Sequence, residues 1–229
     1  DQREDEREAV VAFDAGVAGV VVIAVPEAPK GKTTKPVKLA PPALGKTATA
    51  FDRHLKGALA RAMKAGEFTG KREKTLQILA PADGRISRVV LVGLGDPKTL
   101  DAAAAERIGA ALFAALEREP SATLVLEDLG AGRLIAHVAA GLELKSYRFD
   151  KYRTKEEQDA KPKLKDVTVQ SAAPAEAQKV HAGLAAINAG IFLTRDLVSE
   201  PANVLTPAEM ADRCKKLEAL GVTVEVMGV

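Results

Sequence analysis

The sequence predicts an α/β protein: a layered unit of alternating strands and helices, a long helix, then the first helix and strand of a second α/β unit. Three observations carry that expectation. The run "VAGVVVIAVPE" (17–27) is apolar and β-branched throughout, the pattern of a strand covered on both faces. Strand patterns then alternate with helical ones as far as about residue 172. From Pro174 to Ser199 the pattern is that of one uninterrupted helix of about 25 residues, roughly 37 Å long at 1.5 Å per residue.

The first strand ends at Pro26. The next segment, "KGKTTKPVKLAPPALGK", places five lysines and no acid between Lys30 and Lys46. It reads first as a solvated surface loop rich in Pro and Gly, with a phosphate- or nucleic-acid-binding loop as the alternative. Over 48–65, Phe51, Leu55, Leu59 and Met63 recur at helical spacing and predict an amphipathic helix. Two β-rich runs flank the Asp83-Gly84 pair, a favoured hairpin signal, so 74–80 and 86–94 are expected to be antiparallel neighbours. An Ala-rich helix follows over 99–119, capped by Thr99 or Asp101 and closed by Pro120. A short strand at 121–129 precedes a helix at 131–144, which aligns Leu134, Val138 and Leu142 on one face. A mixed-charge loop then leads to a strand that starts at Asp166.

The long helix has an apolar seam of Val180, Leu184, Ile187, Ile191 and Val198, and Pro201 ends it by disfavouring helical geometry at Glu200. The next helix start is strongly marked. Thr206 can cap, Pro207 suits the first helical position, and Glu209 completes a capping box. Met210, Cys214 and Leu217 then share a face, Gly221 is the stop, and "VTVEVMGV" reads as a strand. A strand must pair and a helix must bury its face, so the fold is expected to continue past Val229.

Composition narrows the functional classes. Thirty-three basic and 31 acidic side chains leave a net charge of +2, which gives no long-range pull toward nucleic acid or anionic membranes. Aromatic residues make up 3% with no Trp, too few for stacking platforms. Cys214 stands alone, which excludes an intramolecular disulfide and a Cys-rich metal site and suits a reducing compartment. The apolar stretch at 15–25 is too short to span a bilayer. The opening "DQREDERE" has no signal-peptide pattern, and its missing Met points to a processed or cut N-terminus. The expectation is a soluble, cytoplasmic protein.

Few side chains carry chemistry by pattern. His54, His137 and His181 sit singly on predicted helices without the i+4 partner of a zinc-protease helix, and are expected to be scattered rather than to form a site. Cys214 precedes Lys215 and Lys216, which could activate it, but its apolar stripe favours a small core residue. "GLGDPK" (93–98) joins a strand to a helix. Gly93 and Gly95 there allow a tight turn, and a phosphate cradle is the second reading. No catalytic, cofactor-binding or metal-ligating residue is assigned.

Two segments carry a family likeness. "RDLVSEPANVLTP" (195–207) resembles the sequence that opens the catalytic domain of the cytosol leucyl aminopeptidase family, and "YRFDKYRTK" (147–155) resembles a second mark of that family. The resemblance implies a macro-domain-like α/β/α unit over 1–172, a connecting helix over 173–200 and the start of a truncated peptidase domain over 201–229. It also implies a hexameric metalloexopeptidase that removes N-terminal residues, often leucine, from peptides with a free N-terminus. Two divalent ions, manganese or zinc, would activate a bridging water and polarise the scissile carbonyl. The family takes its metal ligands from later segments, including one reading N-T-D-A-E-G-R, which these residues lack. Arg195, Asp196, Glu200 and Asn203 lie in the matched motif, at the domain entrance rather than at the metals. This chain alone is therefore expected to bind no metal and to be inactive, and to expose apolar surface over 174–229. The alternative, of a different class, is a free-standing macro-like module for an anionic ligand such as a nucleotide, motivated by the loops 93–98 and 30–46.

Overall fold

The computed structural model describes residues 10–13, 19–27, 42, 44–81, 85–126, 129, 132–155 and 161–228. Its strands are β1 (Val10–Phe13), β2 (Gly19–Pro26), β3 (Thr75–Leu79), β4 (Ile86–Gly95), β5 (Ser121–Val125) and β6 (Asp166–Gln170). Its helices are α1 (Lys46–His54), α2 (Ala58–Ala65), α3 (Ala102–Leu116), α4 (Gly132–Ser146), α5 (Pro174–Ser199) and α6 (Pro207–Lys215). The chain divides into two compact units, Asp1–Asn188 and Ala189–Val229.

In the first unit the strands form one sheet of order β1-β6-β5-β2-β4-β3. All neighbours are parallel except β3, which pairs antiparallel with β4 as the Asp-Gly hairpin predicts. The turn residues 82–84 lie outside the described residues. β2 accounts for the layering. Val20, Val22 and Ala24 face α3 and α4, while Val21, Ile23 and Val25 face α1 and α2. A buried aliphatic side chain contributes about 2 kcal/mol, more than the roughly 1 kcal/mol span of strand propensity. A two-sided apolar strand is thus secure only between two helical layers. The Pro26–Glu27 end is tied down by the Glu27 amide, which donates to Gly95 O at 2.8 Å.

Three features differ from the sequence reading, and one choice it left open is decided. β1 carries no signal that the sequence reading recognised. The single helix expected over 48–65 is two helices, broken where Lys56 and Gly57 take φ of 54° and 78°. Gly57 N donates to Asp52 O at 2.7 Å and closes the first helix. The Asp52 carboxylate then accepts from Leu59 N (2.8 Å) and Ala60 N (3.3 Å), doing for α2 what an N-cap side chain does. Leu55, Leu59 and Met63 still share one buried cluster, so the apolar spacing is right although the backbone is interrupted. At the start of α3 the cap is Asp101, whose Oδ1 accepts from Ala104 N at 2.7 Å. Finally, the expected seam of α5 is only partly buried: Val180, Leu184 and Ile191 are half-buried, Ile187 and Val198 are 60% and 81% exposed, and the fully buried positions are Ala177, Asn188 and Phe192. Polar bonding sets that rotation in the first unit. Asn188 Nδ2 donates to Ala140 O at 3.1 Å and to Glu143 Oε2 at 2.9 Å.

Helices α3 and α4 approach at backbone contact. A Cβ on Gly109 would lie 2.0 Å from Val138 O, and one on Gly141 would lie 2.0 Å from Glu106 O. Glycine at both positions is what lets the crossing close.

In the second unit, Thr206 caps α6 by accepting from Glu209 N at 3.3 Å. A 3-10 turn over Lys216–Leu220 follows, and Gly221, at φ 83°, ends it. Residues 222–228 join no ladder among the described residues, so the expected strand is not formed. Extended backbone counts as a strand only with a partner, and none of the described residues is one. Met210, Leu220, Val222, Val226 and Met227 are exposed. No helix among the described residues is long and apolar enough to cross a membrane.

Gly141→Ala should destabilise the first unit by roughly 3 kcal/mol, because backbone rather than a flexible side chain meets the new methyl; the shift of the urea unfolding midpoint measures it. Asp52→Ala should cost about 1 kcal/mol as a lost cap, read in the same experiment.

Candidate functional site

The strand-to-helix loop after β4 is where the sequence places a possible anion cradle, and its amides decide the question. Gly93 N donates to Lys74 O (2.8 Å) and Gly95 N to Gly70 O (2.9 Å). Lys98 N donates to Asp96 Oδ1 at 3.0 Å and Thr99 N to Asp96 O at 3.1 Å. These donors are spent within the protein and cannot cradle a phosphate. A Cβ on Gly93 would stand 2.0 Å from Lys71 O, so this glycine serves close backbone approach.

Arg72 lies against the same loop, a residue that sequence reasoning did not single out. Its Nε donates to Leu94 O (3.2 Å), and its Nη2 to Thr99 Oγ1 (2.8 Å) and Thr99 O (3.2 Å). The guanidinium fork ties the end of β4 to the segment that leads into β3. Nothing in its local pattern could have announced this, since its partners are backbone carbonyls more than 20 residues away. Arg107 Nε meets Glu73 Oε1 at 2.9 Å beside it. Together with Lys74, Lys145, Ala110 and Ala111, these residues line an open cleft of about 460 Å³.

The histidines do not converge. His54 is exposed at the end of α1. His137 Nδ1 stands 2.8 Å from Glu106 Oε1, across the α3–α4 crossing. His181 Nε2 stands 2.8 Å from Glu143 Oε1, linking α5 to α4 beside the Asn188 bonds. A buried Asn one turn before Phe192, inside an apolar helix face, is the one signal that could have located this cluster from sequence. Among the described residues, no three His, Cys, Asp or Glu side chains come together in a group that could hold a metal ion. Most of the Lys30–Lys46 segment lies outside the described residues, and Lys46 itself begins α1. Cys214 is half-buried rather than enclosed in a core.

In the second unit the motif 195–207 forms the end of α5 and the turn into α6. Arg195 and Asn203 are exposed and Asp196 is half-buried. The Glu200 side chain is 3% exposed, and its Oε1 lies 3.3 Å from Arg213 Nη2. Arg213 Nε donates to Glu209 Oε1 at 2.8 Å. The expected capping box is therefore half made: Glu209 turns toward the guanidinium, a stronger donor than an amide, and Thr206 N donates to Val204 O instead. The hydrogen bond that Arg213 donates to Glu209, aided by Glu200 and opposed by burial, raises the Arg213 pKa and keeps the group charged. Arg213→Met should loosen this turn by about 1 kcal/mol, a screened ion-pair magnitude. Faster amide exchange over 204–210, with β2 and β5 unchanged, is the expected readout.

Residues 34–156 match the cytosol aminopeptidase family, N-terminal domain. A probable cytosol aminopeptidase of Caulobacter vibrioides is 44% identical over 186 residues, covering 81% of this chain and 38% of that protein. A second, from Chelativorans sp., is 36% identical over 219 residues, covering 94% of this chain and 41% of its own length. The chain thus spans 38–41% of the length of these curated relatives. Among solved structures, a mutant form of tomato leucine aminopeptidase aligns over 95% of this chain and 43% of its own, with a TM-score of 0.73. At 19% identity that likeness is one of fold. The bottromycin maturation enzyme BotP, in complex with Mn, aligns over 89% of this chain and 37% of its own, with a TM-score of 0.62 and 27% identity. The chain belongs to the cytosol aminopeptidase family and carries that family's N-terminal domain.

Proposed function

We propose that this chain is the N-terminal portion of a metal-dependent leucyl aminopeptidase, a hydrolase that removes N-terminal residues from peptides. The observation that carries the reading is the match of residues 34–156 to the family's N-terminal domain, in relatives named cytosol aminopeptidases. In this reading residues 1–172 form the N-terminal domain, 173–200 the connector and 201–229 the entrance to the peptidase domain. The parent works in the cytoplasm as a hexamer on peptides with a free N-terminus.

Such an enzyme uses two divalent cations, manganese or zinc, to activate water and polarise the scissile carbonyl. The described residues do not fit that pair, since no cluster of three ligand-type side chains exists among them. We therefore assign the metal ligands to parts of the parent outside this chain and route no catalytic step through these residues. Their role is to support and orient. The exposed apolar side chains of the second unit, among them Leu193, Val198, Leu220 and Met227, support a role for that unit in packing against further protein.

The test compares two polypeptides, the 229-residue chain and the full-length parent, on a leucyl anilide with added Mn²⁺. The parent should turn over substrate and lose activity to a chelator, while the chain alone stays at background. Turnover by the chain alone would overturn the division of labour. A full-length parent inactive with both Mn²⁺ and Zn²⁺ would overturn the aminopeptidase reading.

A further inference from the structure

We propose that the cleft between the 72–74 segment, α3 and the end of α4 binds a small, multiply charged anion of the di- or triphosphate class. The cleft gathers Arg72, Lys74, Arg107 and Lys145 against a single carboxylate, Glu73. That is a local net charge of +3 where the whole chain carries +2. Like charges drawn together from three separate elements repel, and a bound polyanion relieves the cost.

The four cations are prepared differently. Four bonds, to Leu94 O, Asp96 O, Thr99 O and Thr99 Oγ1, fix the Arg72 head without a carboxylate to neutralise it. Glu73 is engaged by Arg107 Nε and is the one acid among the described residues of the cleft. Lys74 and Lys145 are exposed and have no acidic partner among the described residues. Ala110 and Ala111 keep the floor shallow, leaving about 460 Å³, enough for a short phosphate chain. A monovalent ion offers one charge to cations carried on three elements, whereas a chain of phosphates offers an anionic group to each. Among the described residues no aromatic side chain lines the cleft, so charge rather than a stacked base is what it reads. The site lies beside the 93–99 loop but does not use the amides of Gly93, Gly95, Lys98 and Thr99, which are already bonded.

Isothermal titration of the 229-residue chain with tripolyphosphate tests the assignment. Saturable one-to-one binding is expected at low salt, weakening as salt screens the site. The double variant Lys74→Ala, Lys145→Ala should weaken binding about tenfold, from two partly screened contacts. Both residues are exposed, so its unfolding midpoint should match the parent chain's. The control Lys64→Ala, Lys179→Ala removes the same charge from exposed positions outside the cleft and should bind as the parent chain does. ATP should match tripolyphosphate, and acetate should give no saturable heat. Absence of saturable tripolyphosphate binding, or equal weakening in the control, would overturn the proposal. So would binding of acetate as strong as that of tripolyphosphate, or an oligonucleotide that binds more tightly, which would make the cleft part of a nucleic-acid surface.

Discussion

Because Val20 to Val25 are all buried, β2 must be covered above and below, and no arrangement that leaves one face of the sheet open can hold it. The parallel pairings of β2 with β4 and β5 extend this requirement across the sheet. Parallel neighbours need crossover connections, and those connections supply the covering helices. One layer is the short pair α1 and α2; the other is the crossing of α3 and α4, closed to backbone contact by Gly109 and Gly141. Edge and loop features then adapt to a frame that apolar burial has already set.

Where hydrophobic patterning gives no instruction, side-chain bonds to backbone or to buried carboxylates take over. Asp52 reaches past the Gly57 break to hold the first turn of α2. Arg72 gathers the carbonyls of the loop after β4. Asn188 reaches Glu143 from α5, and Arg213 joins Glu200 to Glu209 within the second unit. A buried polar group costs free energy unless it is bonded, so each of these contacts excludes alternatives as well as stabilising the one adopted.

This division has a functional consequence. The first unit is closely packed where glycine and aliphatic side chains meet, and beside that packing lies the cleft of Arg72, Lys74, Arg107 and Lys145. The motif 195–207 lies in the other unit, where an ion pair shapes a turn between two helices. Neither place assembles the ligand cluster that a dinuclear metal site needs. Membership of an aminopeptidase family and the chemistry these residues can perform are thus separate statements.

By itself the sequence determined the elements whose signals are local. The two-sided run at 17–27, the Asp-Gly hairpin, the Asp101 and Thr206 caps and the span of α5 all depend on residues within a few positions of one another. The family likeness was legible in the same way, from contiguous motifs at 147–155 and 195–207. Tertiary structure decided what depends on partners far along the chain. It placed β1 beside β6, set which face of α5 is buried, and filled the 93–99 loop with Arg72. It also withheld a strand from 222–228, which has no ladder partner among the described residues. Hydrogen-bond donors and like charges carry no period in sequence, so only the packed chain could show that four of the loop's amides were spent and that four distant cations share one cleft.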